Sequence, residues 1–364
     1  MRRHNLEKYA KLFMFLDKTW LPISKLSSLF TVKKNNVTEN VLFLKLYEKG
    51  SLALLSPLIN EISKISNSEL YFVTLDINKD AMIFLPEIKA ENIYYIQTKT
   101  LISFIRSFFY FTFWSQKKNF SRVFNLDLFS NISKTVMNMS NGDQKYLISD
   151  QESLSSVGYD QGKHIYEHYY DLFNKYFKLT RKKPEYANLF NYTKRKQISF
   201  YINTKDPLWH RSWTNESWND LISICKKQYG NEYDIVVLAP ELEGNSNLVN
   251  LLKDSYKETK QLSDLLVEIS QSMVFVTTDC GPSHFAAFCN TRTITLFGPE
   301  SPDFFGSLSE LNTNITSSLA CSPCFTQRNK CISLCRDNIC MKNIHPELIL
   351  SHIRENLGDL DASA

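Results

Sequence analysis

The chain reads as two doubly wound parallel α/β domains, and three observations point there. Short apolar, β-branched runs alternate with longer segments of helical periodicity, the pattern of a parallel sheet with helices on its faces. The alternation occurs as two series, separated by the basic, aperiodic residues 178–196 with Pro184 among them. Finally, 364 residues exceed one typical core and suit two of moderate size.

Residues 1–38 are an N-terminal extension with helical spacing in its first half. Residues 41–46 (VLFLKL) are the first buried strand, Tyr47-Glu48-Lys49-Gly50-Ser51 turns the chain, and 52–65 follow as an apolar-rich helix despite Pro57. Strands are expected at 70–75, 93–96 and 123–126, the last ending in Asp127, with a helix beginning at 130–137. Residues 101–114 (LISFIRSFFYFTFW) are too short to span a bilayer and contain Arg106. They read as a core helix in preference to an aromatic face resting on a membrane surface. Residues 143–163 turn polar and are assigned no element, and 164–177 (HIYEHYYDLFNKYF) form a helix with an aromatic stripe. The first domain is therefore 39–180 and the linker 181–196.

The second series runs strand 197–202, helix 216–228, strand 234–238, helix 246–254 and helix 263–271. Next comes the stretch that organises the chain, residues 272–299 (SMVFVTTDCGPSHFAAFCNTRTITLFGP). It reads as strand 273–277, a turn at Asp279-Cys280-Gly281, a helix with Pro282 first, and strand 293–297. A helix start at the carboxyl end of a parallel strand offers free N–H groups and a positive dipole end to an anion, most often phosphate. The bland alternative is an ordinary crossover. The second domain closes at 345, and 346–364 are a closing helix, 347–356, and tail.

A net charge of +4 gives no general case for nucleic acid. No window of about 20 apolar residues supports a membrane span. Asp17 and Lys18 interrupt the leader, which makes a poor signal peptide, so a cytoplasmic location is expected. Five of eight cysteines lie at Cys321, Cys324, Cys331, Cys335 and Cys340. In a cytosolic chain such a cluster points to a structural metal, zinc or iron, more than to disulfides. Reduced thiols in a compact loop are the alternative, as is a nucleic-acid-binding knuckle, against which the charge argues.

Asp279-Cys280-Gly281-Pro282-Ser283-His284, followed by Phe285-Ala286-Ala287 and Leu296-Phe297-Gly298-Pro299, resembles the signature of the family nine glycosyltransferases. These are the bacterial heptosyltransferases of lipopolysaccharide core assembly. Cys280 stands for the family's Thr, and Glu300 for the Thr after G-P. The resemblance implies a GT-B architecture, two Rossmann-like halves facing across a cleft, and a metal-independent inverting transferase. Its donor would be a nucleotide-diphosphate sugar, ADP-heptose first among them, and its acceptor a lipid-linked or cell-surface glycan, or a protein. Peripheral contact with the inner membrane face goes with such an acceptor, and no cofactor is implied for catalysis.

The resemblance also implies site residues. Asp279, Cys280, Gly281, Pro282, Ser283 and His284 would hold the donor diphosphate, with Gly50 and Thr204. Alignment on Trp213 puts Arg211 at the family's phosphate-binding lysine, where a guanidinium can neutralise the leaving diphosphate. His210 and Lys205 stand near it. Glu241 or Glu243 follows the 234–238 strand, and Glu243 is assigned the ribose. The family's general base is an aspartate after glycine, but here the pair is Gly50-Ser51, and a serine takes no proton at neutral pH unaided. Either Glu48 or Asp127 substitutes, or the chain is a binding protein that lost turnover. A solvated turn for Glu48 and a helix cap for Asp127 are the competing readings. Cys321, Cys324, Cys335 and Cys340 match relatives with a CSPC tail that hold iron in a finger.

Overall fold

The computed structural model describes residues 17, 39–180, 182–203, 209–240, 252, 255–328 and 335–361. Thr204, Lys205, Asp206, Glu241, Glu243, Cys331, the 246–254 helix and nearly all of the leader lie outside these. The chain divides into two compact units at Lys183/Pro184.

Unit 1 holds a six-stranded sheet in which every neighbouring pair is parallel, in the order β3-β2-β1-β4-β5-β6. The strands are β1 (Val41–Leu44), β2 (Leu70–Leu75), β3 (Ile93–Ile96), β4 (Phe120–Asn125), β5 (Gly142–Ser149) and β6 (Ser156–Gly158). Helices α1 (Lys49–Ile65), α2 (Leu101–Lys118), α3 (Asn131–Met139) and α4 (Ile165–Phe177) cross between strands or close the unit. Strands β1 and β2 are buried on both faces, which is why they read as unbroken apolar runs. Leu42, Leu44, Val73, Phe104, Phe111 and Val123 make one core layer. Across the sheet, Phe43 packs on Phe124 at 5.7 Å and on Phe173 of α4 at 5.4 Å.

Unit 2 repeats the winding in its own sheet, β12-β11-β10-β7-β8-β9, again parallel throughout. Its strands are β7 (Gln197–Tyr201), β8 (Asp234–Ala239), β9 (Tyr256–Glu258), β10 (Val274–Thr278), β11 (Arg292–Phe297) and β12 (Asn312–Thr316). Its helices are α5 (Asn215–Tyr229), α6 (Leu262–Gln271), α7 (Gly281–Phe285), α8 (Pro302–Phe305), α9 (Ile339–Lys342) and α10 (Pro346–Asp361). Trp213, Trp218, Phe200, Val276 and Ile353 share its core. Tyr186 stacks edge-on against Phe288 at 5.2 Å, and the Lys194 ammonium donates to Ser272 O and Thr291 Oγ1. The chain after the division is thus pinned along unit 2.

Four strands, β5, β6, β9 and β12, fall where the sequence shows no strand. Each lies at or next to a sheet edge; alternating or exposed positions in β5, β9 and β12, and a length of three residues in β6, replace the apolar run that marks an interior strand. Helix α1 starts at Lys49 instead of Leu52, because the turn is made by Glu48 alone at φ 69°. Helix α2 packs one face into the core, as expected, and leaves the other open. Phe104, Phe108 and Phe111 are buried, while Ile102, Ile105, Phe109 and Phe113 face outward.

His168 of α4 is fully buried and tied at both ring nitrogens. Nε2 accepts from the Asp160 N–H at 2.9 Å, and Nδ1 lies 3.1 Å from His164 O. That places the proton on Nδ1 of a neutral ring. Burial pushes its pKa below the usual histidine value. The unfolded chain therefore binds more protons below pH about 6.5, and unit 1 loses stability as pH falls through that point toward the folded-state pKa. The denaturant midpoint of unit 1 is expected to drop from pH 7.5 to 5.5, and His168→Gln to flatten that dependence. An unchanged slope in the variant would remove His168 as the cause.

Candidate functional site

In both units the strand order reverses direction at the first strand, between β1 and β4 in unit 1 and between β7 and β10 in unit 2. Ligands of open α/β sheets bind outside the carboxyl ends of the strands at such points. The chain places a polar cluster at each.

In unit 1, Lys45 and Asp127 emerge just past β1 and β4 and pair at 2.9 Å with side chains 4% and 2% exposed. Asp127 Oδ2 also accepts the Leu46 N–H at 2.8 Å. Burial opposes the charge on Lys45, but Asp127, Tyr169 and Glu48 outweigh it and hold the ammonium well above its usual range. Burial pushes the Asp127 carboxyl up, against the pull of Lys45 and the Leu46 N–H. Both groups are engaged inward, so Asp127 has little left for a ligand. Glu48 differs. Its side chain is half exposed, and Oε2 accepts the Ser51 hydroxyl at 2.8 Å and lies 3.4 Å from Lys45 Nζ. Ser51 is buried in the first turn of α1, next to the half-buried Gly50. The Tyr169 hydroxyl reaches Ser51 from α4, and burial keeps that phenol protonated. Lys45 was missed because it sits inside an apolar run, and Tyr169 because it belongs to the aromatic stripe of a helix; both patterns read as core.

In unit 2, Val274–Thr278 ends in Asp279, and Cys280 in extended conformation (φ −166°) precedes the first helical residue, Gly281. Pro282 is the second helical position, where its missing N–H still costs nothing. Helix α7 is a short piece that tightens into a 3₁₀ turn, Ala286–Cys289. Ser283 Oγ donates to Cys280 O at 2.8 Å, closing the turn. Of the six residues from Asp279 to His284 only Gly281 is better than marginally exposed. Ser283 therefore supports the turn's shape from inside, and His284 is buried beside it. Arg211 sits on a 3₁₀ turn, Trp209–Arg211, and its guanidinium lies 3.4 Å from Asp279 Oδ2. The two halves of the sequence pattern, 68 residues apart, are thereby brought together.

The cysteine segment is built onto the same region. Pro299 O accepts from the N–H groups of Cys324 and Phe325 at 2.8 and 2.7 Å, and Gly298 O accepts from Ser322 Oγ. A Cβ at Gly298 would lie 2.4 Å from Met341 Sδ and 3.1 Å from Cys340 Sγ, so glycine is what lets α9 pack there. Asn338 Nδ2 donates to His210 O and Ser212 O at 3.2 and 2.8 Å, and His210 Nε2 meets Cys335 O at 3.0 Å. Asn338 therefore fixes the turn that carries Arg211, a role nothing in its sequence neighbourhood signals. Burial pushes the Cys340 thiol up, with repulsion from Cys324, Cys335 and Cys321 adding to it. Among the described residues no three His, Cys, Asp or Glu side chains form a metal-ligand set. The expected zinc or iron at Cys321, Cys324, Cys335 and Cys340 is thus unsupported among the described residues. Nor is any described helix long and apolar enough to cross a membrane.

Residues 160–333 match the model of glycosyltransferase family 9 (heptosyltransferase). The fold is similar to that of the E. coli heptosyltransferase WaaC with ADP, at 16% identity and TM-score 0.65 over 87% of this chain and 99% of that one. A glycosyltransferase family 9 protein from Veillonella parvula gives 14% identity and TM-score 0.67 over 88% and 97%. The E. coli ADP-heptose lipopolysaccharide heptosyltransferase II gives 16% and 0.64 over 89% and 100%. At these identities the likeness shows a shared GT-B fold. No curated protein sequence matches the chain.

Proposed function

We propose, from the match of residues 160–333 to the glycosyltransferase family 9 (heptosyltransferase) model, that the chain is an inverting transferase using a nucleotide-diphosphate sugar, ADP-heptose first among donors. The observation that carries the reading is Arg211 beside Asp279 at the switch point of the second sheet. There a cation and the backbone at Gly281 address a diphosphate together. The acceptor is a lipopolysaccharide or other cell-surface glycan, or a protein, met on the cytoplasmic side of the membrane.

In the step, the acceptor oxygen bonds to the anomeric carbon as the bond to the diphosphate breaks. The electron pair leaves on the phosphate oxygen, and Arg211 neutralises the charge that develops there. The acceptor proton goes to a carboxylate of unit 1. We assign it to Glu48, which is reachable from solvent, and give Asp127 the task of holding Lys45. Ser51, standing where the family has aspartate, donates to Glu48 and orients it. For the donor we propose Glu243 at the ribose and Thr204 beside it, as the resemblance implies. Loss of turnover is the competing reading, favoured by Ser51 alone.

Thermal denaturation with a panel of nucleotide diphosphates and ADP-heptose tests the donor. Ligand at 100 times its Kd is expected to stabilise by about 2.7 kcal/mol, with ADP ahead of UDP, GDP and CDP. No shift with any nucleotide would sink the proposal. A shift without sugar transfer to any lipopolysaccharide-core, glycan or protein acceptor would leave the binding-protein reading standing.

A further inference from the structure

We propose that the outer face of α2 is a membrane-surface binding site, laid flat on anionic phospholipid. Ile102, Ile105, Phe109 and Phe113 recur at helical spacing on that face, with Ile102 71%, Phe109 63% and Phe113 62% exposed. Leu101 and Tyr110 extend the face at 50% and 57%. The opposite row, Phe104, Phe108, Phe111 and Ser115, is buried in unit 1. The helix is therefore held from behind and presents a second apolar stripe outward. Thr100 and Ser103 close a capping box at its start, which fixes it as a formed helix of 18 residues, about 27 Å long.

Charge selects the occupant. Between Glu91 and Asp127 the chain has no acidic residue but carries Lys99, Arg106, Lys117, Lys118 and Arg122. On a helical wheel Arg106 and Lys117 border the apolar stripe, and the Arg106 guanidinium also reaches the Tyr110 hydroxyl at 3.2 Å. An aromatic and aliphatic stripe with a basic margin is what an interfacial helix needs, the rings entering the headgroup boundary and the cations meeting lipid phosphates. A second copy of the chain packed face to face would instead set like charges against each other. The inference draws on the proposed function only for the reason such a surface is useful, since a lipid-linked acceptor is presented at a bilayer.

Co-sedimentation of the full chain, without donor or acceptor, uses vesicles of phosphatidylethanolamine with phosphatidylglycerol and vesicles of phosphatidylcholine alone. Binding is expected on the anionic vesicles, weaker on neutral ones and weakened by salt. The triple variant I102E/F109E/F113E should bind about tenfold or more weakly, with its thermal unfolding and ADP-induced shift unchanged, because all three side chains are exposed. The charge variant R106E/K117E should lose the anionic preference. Absence of vesicle binding, or equal binding by the triple variant, overturns the proposal. So does light scattering that shows an oligomer which the triple variant dissolves. A null donor panel with intact vesicle binding would instead count against the proposed function alone.

Discussion

Arg211→Ala is expected to lower kcat/KM for sugar transfer by 10²–10³-fold, about 2.7–4 kcal/mol of transition-state stabilisation. The guanidinium lies 3.4 Å from Asp279 at the second switch point. Its value rises as the phosphate bond breaks and negative charge gathers on the leaving oxygen, so kcat should fall more than KM rises. Arg211→Lys keeps the charge but loses the planar fork, and an intermediate rate is expected. Asn338→Ala acts one step away by loosening the turn that holds Arg211, and should fall in the same direction by less. Single-turnover transfer with saturating donor measures all three. A normal kcat in Arg211→Ala would remove Arg211 from the reaction, and with it the observation on which the proposed function rests.

Asp127→Ala should destabilise unit 1 by about 3–5 kcal/mol, because it strands the Lys45 ammonium in a site 4% exposed. For a unit of this size that is a fall in Tm on the order of 10 °C. The double variant K45M/D127L replaces the buried pair with apolar groups of similar bulk and should recover most of the loss. The pair of variants separates two tasks. If the double variant regains stability and retains transfer, Asp127 serves only to hold the pair. If it regains stability and transfers nothing, while Glu48→Gln still transfers, the proton goes to Asp127 and our assignment to Glu48 is wrong.

Helix α2 shows what kind of information each level supplies. Its composition, rich in aromatics with one arginine inside, fits a core helix and a surface helix alike. The buried row at Phe104, Phe108 and Phe111 and the open row at Ile102, Phe109 and Phe113 exist as separate facts only once one side has a sheet beneath it. Three of the four edge strands, β6, β9 and β12, escape the sequence for a related reason, whereas the edge strand β3 carries its own apolar run. A run such as that of β12, with one buried residue in five, carries no apolar signal, and its strand state comes from pairing with β11.

Sequence alone determined the interior strands, the two-fold repetition of the winding, and the strand–turn–helix at 274–285, because burial on both faces and proline at a helix start are written locally. Tertiary structure decided which polar residues meet. Lys45 and Asp127 are 82 residues apart and Arg211 and Asp279 are 68, and only parallel strands ending side by side bring such pairs into contact. It also decided that the cysteine segment is fastened to the Gly298 and Pro299 carbonyls by the Ser322 hydroxyl and the Cys324 and Phe325 N–H groups, because thiol spacing along a chain does not say where a loop will find its partners.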